Sequence, residues 1–225
     1  VEEKRDVDNK FTLFNSALAT FNTAVEEANK AIQDKLKEYS DEALKQAIQA
    51  LEDAANAAKA AQDAADSVDG LHDYVDGAFA DGIIDGAEAK AIEKYLNTVK
   101  NTKSAVEATY NKLYVNTYLE GSAKTALLNA KVSLFGAIDN LIAAINTAIA
   151  DGQTTIEEKK NVDDKFTLFN SALASFNTAV EEANKAIHDK LKSYSDECTA
   201  DLKVLNTQIS AQVTRVDRSR RPSGS

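Results

Sequence analysis

Hydrophobic residues recur at steps of three and four along the first 68 residues. The stripe consists of Phe11, Phe14, Leu18, Phe21, Val25, Ala28, Ile32, Leu36 and Tyr39, followed by Ala43, Ile48, Leu51, Ala55, Ala58 and Ala65. This spacing places the side chains on one face of an α-helix, as packing in a bundle or coiled coil requires. Because no Gly or Pro occurs before Gly70, we predict one long helix over residues 1–68, ~100 Å long at ~1.5 Å per residue.

The segment at 1–42 returns at 156–197. The run VEEKRDVDNKFTLFNSALATFNTAVEEANK reappears as IEEKKNVDDKFTLFNSALASFNTAVEEANK, and 35 of the 42 aligned positions are identical at a constant offset of 155. Such near-identity indicates a duplicated module within a longer array. We therefore expect the chain to be a piece of a larger repetitive protein, in which helical modules build length or surface.

Residues 69–86 contain a cluster of Gly and Asp, which predicts a turn region. A helix should follow from about Ala87 and end near Gly121, and a third should run from about Ala123 to Ala150. With the duplicated helix, residues 87–197 are predicted to form an up-down-up three-helix bundle. Its core should consist of Leu96, Val99, Leu134, Ile138, Leu141, Ile145, Phe169, Leu173 and Phe176.

After Cys198 the sequence changes register. Leu202, Leu205, Ile209 and Val216 keep heptad spacing, with Gln212 at one seam position, so residues 198–217 are predicted to be a coiled-coil-like helical extension. The polar, basic residues 218–225 are predicted to be a disordered tail. No segment shows sustained alternation of apolar and polar residues. The expected fold class is all-α: a long helix plus a three-helix bundle with coiled-coil-like packing.

Composition argues against several classes of partner. The net charge of −10 argues against nucleic acid, since phosphate binding needs clustered Lys and Arg. The most apolar run, LFGAIDNLIAAINTAIA, is interrupted by Asp139, Asn140 and Asn146, which favours a buried helix over a membrane span. Cys198 is alone, so no disulfide can form within the chain.

Two Asp-Gly turns are the most suggestive candidates for chemistry. ADGIIDGAEAK and ADGQTTIEEKK align at an offset of 70, and Glu88 and Glu158 are spaced like the last ligand of a calcium-binding EF-hand loop. The first and third ligand positions would be Gly77 and Phe79, or Thr147 and Ile149, and none of these supplies a carboxylate. We therefore interpret Asp85 and Thr155 as helix N-caps, with Glu88 and Glu158 as their capping-box partners.

The remaining candidate side chains are isolated. His72 has no second imidazole or thiol nearby in sequence, and Gln33 replaces His188 in the first copy, so both are expected to be solvated. Cys198 aligns with Ala43 and is expected to be a spare thiol, with a cross-chain disulfide as the alternative. No phosphate loop, zinc motif or nucleophile motif occurs. We therefore expect no enzyme activity, no catalytic, cofactor or metal site, and no small-molecule ligand.

The segments ADGIIDGAEAKAIEKYL, NTYLEGSAKTALLNAK and ADGQTTIEEKKNVDDKF resemble the helical repeats of tail-fibre and tail-tip (host-specificity) proteins of tailed phages and prophages. The closing DLKVLNTQISAQVTRVD is similar to the helical lead-in to distal fibre regions. The resemblance covers most of residues 70–217. It implies a virion structural part that spans distance between the phage tail and a host-contacting tip, and it supplies no catalytic residue.

Two further expectations complete this interpretation. The alternative to a phage tail component is a bacterial surface or secreted stalk, or adhesin module, of spectrin-like helical repeats. The stripe from Phe11 to Ile32 lacks the two other helices of its bundle, and a contiguous apolar stripe is rarely left exposed. Either the helix folds back on its own chain, or copies of the chain associate as a dimer or trimer; we favour association, with other tail components as further partners.

Overall fold

A computed structural model describes the chain from Glu2 to Arg220. These residues form four helices: α1 (Glu2–Ala78), α2 (Gly86–Tyr114), α3 (Gly121–Ala148) and α4 (Ile156–Arg220). The only strand-like pairing within the described range is an isolated bridge between Ile83 and Gln153. The all-α prediction is confirmed.

The chain divides into two compact units. The first, here called the bundle unit, is Gln46–Lys190 and contains the second part of α1, all of α2 and α3, and the first part of α4. The second, here called the helix-pair unit, contains the described residues on either side of that range: the first part of α1 and the last part of α4. Each unit is described separately below.

Helices α2, α3 and α4 pack in the bundle unit as the sequence predicts. All nine predicted core residues, from Leu96 to Phe176, are buried. Salt bridges connect α2 to α3, from Lys103 to Asp139 at 2.6 Å and from Lys131 to Glu107 at 3.0 Å. The order of these contacts along the two helices shows that they run antiparallel.

The second half of α1 adds a fourth helix to this bundle. Tyr74 contacts Tyr95 of α2, with ring centroids 5.3 Å apart, and His72 contacts Phe166 of α4 at 4.2 Å. Its buried face consists of Ala50, Ala54, Ala57, Ala60, Ala61, Ala64, Val68, Leu71, Val75 and Ala78. The sequence predicts a three-helix bundle over 87–197 without α1, and this prediction omits the fourth helix. Because alanines bury little area, they give a weak pattern in the sequence although the helices can approach closely there.

The predicted apolar face of α1 is wrong by one position beyond Ala43. Ile48 and Leu51, which were assigned to the stripe, are about half exposed, whereas Ala50 and Ala54 are buried. The bulky rings of α4 occupy the interior of the bundle unit, so the smaller residues of α1 turn inward. Side-chain size, rather than hydrophobicity, sets the face of this segment.

The turn predicted at 69–86 starts ten residues too early, because α1 continues through Gly70 and Gly77 to Ala78. Each Gly in a helix costs about 1 kcal/mol relative to Ala. Burial of Val68, Leu71 and Val75 outweighs that cost, since a fully buried Val or Leu contributes about 1.5–3 kcal/mol.

The end of α2 also differs from the prediction. The helix stops at Tyr114, and Gly121 is not its terminator but the first residue of α3, with a φ of 65°. Asn116 makes the turn instead, because its side chain accepts a hydrogen bond from the backbone N–H of Tyr118 at 2.9 Å. The buried Leu119 then anchors the loop in the core.

The helix-pair unit is much less well packed. Partly buried positions recur at coiled-coil spacing, and they are Leu18, Asn22, Val25, Asn29, Ile32 and Leu36 on α1, and Cys198, Leu202, Leu205 and Ile209 on α4. Among the described side chains of this unit only Leu191 is fully buried. The predicted extension at 198–217 is helical, although Gln212 is exposed and the side chain of Val216 lies outside the described residues. Of the predicted tail, 218–220 belong to α4 and 221–225 lie outside the described residues.

The N-terminal stripe is only half covered by its own chain. Phe11, Phe14 and Phe21 are 64%, 54% and 55% exposed. These three rings are therefore largely open to water. Their equivalents in the second copy, Phe166, Phe169 and Phe176, are at most 3% exposed.

This contrast predicts different costs for the same substitution in the two copies. Phe169→Ala should lower the free energy of unfolding by about 3–5 kcal/mol, because the ring is fully buried. The matched control is Phe14→Ala, which sits in the same local sequence and should cost less than about 1 kcal/mol. Urea unfolding followed by circular dichroism measures both, and equal losses would show that the two copies are equally well packed.

Candidate functional site

The two Asp-Gly turns lie side by side at one end of the bundle unit. The first connects α1 to α2 and the second connects α3 to α4. The backbone N–H of Ile84 donates to the carbonyl of Gly152 at 2.9 Å, and that of Thr154 donates to the carbonyl of Gly82 at 3.1 Å. These paired turns are the candidate site, because they bring together the carboxylates that the sequence singled out.

Each turn is shaped by its own aspartate and glycine. Asp81 accepts a hydrogen bond from the backbone N–H of Ile83, and Asp151 accepts one from that of Gln153, both at 3.0 Å. The glycines that follow have φ values of 76° and 77°, in the left-handed region that residues with a Cβ rarely adopt. The Asp-Gly pair thus sets the geometry of the turn.

The predicted capping boxes are both present. Asp85 Oδ1 accepts from the backbone N–H groups of Ala87 and Glu88 at 2.7 and 2.8 Å, and Glu88 accepts from that of Asp85 at 3.0 Å. Thr155 Oγ1 accepts from the backbone N–H of Glu158 at 3.1 Å, and Glu158 accepts from that of Thr155 at 2.9 Å. The acidic groups satisfy backbone donors that a helix start leaves unpaired.

The structure gives the calcium alternative no additional ligand. Gly77 lies in the last turn of α1 and Phe79 is buried, while Thr147 donates its hydroxyl hydrogen to the carbonyl of Ala143. None of these positions offers a carboxylate. The paired turns start helices α2 and α4. Their backbone hydrogen bonds hold the α1–α2 turn against the α3–α4 turn.

A second cluster, which the sequence analysis missed, lies between α1 and α4. His72, Asp76 and Asp163 place their potential ligand atoms within 4.8 Å of one another. His72 is half-buried against the ring of Phe166, so its assignment to a solvated loop was wrong. The i, i+4 spacing of His72 and Asp76 indicates two of the three members of the cluster once α1 continues past Gly70.

A protein cation already lies beside this cluster. The ammonium group of Lys159 is 3.4 Å from Asp76, and His72 Nε2 is 3.8 Å from Asp163. One imidazole and two carboxylates are a donor set that a divalent transition metal can use. Here Asp76 forms a salt bridge with Lys159, and His72 contacts Asp163 across the interface between α1 and α4.

The other predicted positions stay apart from these groups. His188 is exposed, and Cys198 is partly buried at the coiled-coil spacing of the helix-pair unit. The turn between α2 and α3 is held to α4 by Lys190, whose ammonium group is 2.6 Å from Glu120. This hydrogen bond and charge lower the pKa of Glu120, so the contact is lost as the pH falls through that lowered pKa.

Helix α3 is long and apolar enough to cross a membrane by length and composition. Its inward stripe, which includes Leu127, Leu134, Ile138 and Leu141, is buried in the bundle unit. A core helix of a helical bundle accounts for the same apolar composition.

Comparison with protein families, with characterised proteins and with solved structures finds no match to this chain.

Removing one cap tests the role of the acidic groups. Thr155→Ala should lower the free energy of unfolding by about 1 kcal/mol, because a helix N-cap is lost. Adding calcium should leave the melting temperature of both the parent and the variant unchanged. A calcium-dependent rise in the melting temperature of the parent would contradict the capping interpretation.

The paired turns also predict a glycine requirement at one position. Gly82→Ala should destabilise the chain by about 1–2 kcal/mol, because a Cβ disfavours its positive φ. That Cβ would also lie 3.3 Å from the carbonyl oxygen of Thr154. Gly86→Ala is the matched control, since Gly86 is helical and a Cβ there meets nothing within 4 Å. Thermal unfolding should rank the control at or above the parent; similar losses in both variants would contradict the pairing of the turns.

Proposed function

We propose that this chain is a structural spacer segment of a tail fibre or tail-tip protein of a tailed phage or prophage, and that it supports host attachment without catalysing a reaction. The observation that carries the proposal is the use of one continuous helix in two units. Helix α1 has 77 residues and contributes to both units. Its second half packs in the bundle unit, and its first half repeats the sequence of α4.

Such continuity suits a part that spans distance. Arrays of helical modules build length because each repeat packs against its neighbours. Among the described residues, those that are fully buried are all hydrophobic. The interior therefore contributes to stability through packing of apolar side chains. The acidic groups of the paired turns are used in helix starts. These features support a spacer role, and the sequence resemblance given above supports its assignment to phage tails.

Association between copies of the chain belongs to the same proposal. The exposed rings near the N-terminus provide an apolar surface, and fibre stalks are commonly oligomeric. We place the protein in the virion, in contact with other tail components. The alternative is a stalk or adhesin module on a bacterial surface, which would use the same helical architecture.

Immunogold electron microscopy distinguishes the two locations. Antibodies raised against the purified chain should label the tails of phage particles released by induction of the host that carries the gene. Antibodies pre-absorbed with the same chain are the control. Labelling of intact cell surfaces, with unlabelled particles, would favour the adhesin alternative over the phage assignment.

A further inference from the structure

One face of the N-terminal helix is apolar and open. We call it the exposed stripe, and it consists of Val7, Phe11, Phe14, Phe21 and Ala28. Its four large side chains are 52–64% exposed, and a shallow apolar groove of about 370 Å³ lies between Val7, Phe11 and Phe14, beside Lys10. Val7, Phe14, Phe21 and Ala28 are spaced by sevens, so they form a single straight row along the helix.

The same row is fully covered in the second copy of the sequence. Val162, Phe166, Phe169, Phe176 and Ala183 correspond residue for residue to the exposed stripe, and each is at most 3% exposed in the interior of the bundle unit. The bundle unit therefore shows what kind of surface this row fits. The other buried residues of that unit come from α2 and α3, which contribute large aliphatic residues such as Leu96 and Ile138, and from the alanine-rich part of α1.

None of the amino-acid differences between the two copies falls on this buried row. Every position at which the two copies differ is exposed in the second copy; these positions are Ile156, Lys160, Asn161, Asp164, Ser175, His188 and Ser193. Every buried position from Val162 to Leu191 carries the same residue in the first copy. The first copy has thus kept the complete bundle-facing surface although nothing covers the stripe in this structure.

Two side chains that make polar contacts in the second copy recur in the first copy. Glu158 completes the capping box with Thr155, and Lys190 reaches Glu120 in the turn between α2 and α3. Their equivalents in the first copy are Glu3 and Lys35. Lys35 pairs with the nearby Glu38 at 2.7 Å. A self-paired stripe would use neither Glu3 nor Lys35, whereas a hairpin that ends in an Asp-Gly turn would use both.

We propose that the exposed stripe is the docking surface for a helical hairpin of the α2–α3 kind, which ends in an Asp-Gly turn directly before the first copy. Docking of such a hairpin would build a second bundle on α1. The first half of the helix would then belong to the new bundle and the second half to the bundle unit. The α2–α3 hairpin of a second chain is a poorer occupant. Each chain has one such hairpin, which already packs against α4, and so none is left for the exposed stripe on α1. The inference concerns the partner of this surface and does not depend on the phage assignment.

An extended chain tests the proposal directly. A second copy of residues 46–155 is joined in front of Val1, which places Thr155 of the added copy where it precedes Ile156 in the parent. Ala28→Cys, in a Cys198→Ser background, reports on the stripe, because the equivalent Ala183 is fully buried. The rate of maleimide labelling at this cysteine should fall at least about tenfold in the extended chain relative to the parent, since labelling then requires local opening.

Two controls make the result specific. Ala19→Cys should label equally fast in both chains, because its equivalent Ala174 is exposed in the bundle unit. An extended chain whose added copy carries Leu134→Asp and Ile138→Asp should leave the Ala28→Cys labelling rate at its parent value. Far-ultraviolet circular dichroism should show that the intact added copy is helical.

Three results would overturn the proposal. One is an unchanged labelling rate at Ala28→Cys in the extended chain with the intact copy. Another is a far-ultraviolet circular dichroism spectrum that shows the intact added copy to be unfolded in the extended chain. The third is slow labelling in the parent chain at micromolar concentration together with a dimer in sedimentation equilibrium, which would assign the stripe to pairing between two copies of this chain.

Discussion

The structure depends on burial of the phenylalanine row of α4 inside the bundle unit. Phe169 and Phe176 are fully buried there, and each buried side chain of this size contributes about 1.5–3 kcal/mol. Isolated helices gain little stability from their backbone alone, so the bundle depends on such packing. The face of α1 that is buried in the same unit consists largely of alanines.

The two copies of one sequence show that local sequence decides the helix but not its burial. Residues 2–42 and 156–197 are helical in both places, because their spacing, capping and composition favour a helix everywhere. Phe14 and Phe169 nevertheless have very different exposure, since only the second has α2 and α3 beside it. A module that shares its helices with its neighbours is therefore complete only where both neighbours are present.

The sequence predicts the parts of this fold that depend on large side chains and on contacts between residues close together in the chain. The core from Leu96 to Phe176 and the capping box at Thr155 follow from helical spacing and from residues three positions apart. The fourth helix was missed because alanines give little contrast, and α1 was ended too early because Gly and Asp usually mark turns. The pairing of the two turns joins residues 70 positions apart, and the contact from His72 to Asp163 joins two helices. No local pattern encodes either one.

Identical residues are well packed in the second copy of the segment and poorly packed in the first. Amide hydrogen exchange followed by mass spectrometry measures this in one sample of the unmodified chain. Peptides from the two copies can be separated, because Thr20 stands in the first copy where Ser175 stands in the second. Because Phe176 is buried and Phe21 is exposed, amides around Phe176 should exchange far more slowly than those around Phe21. Equal protection of the two segments would contradict it.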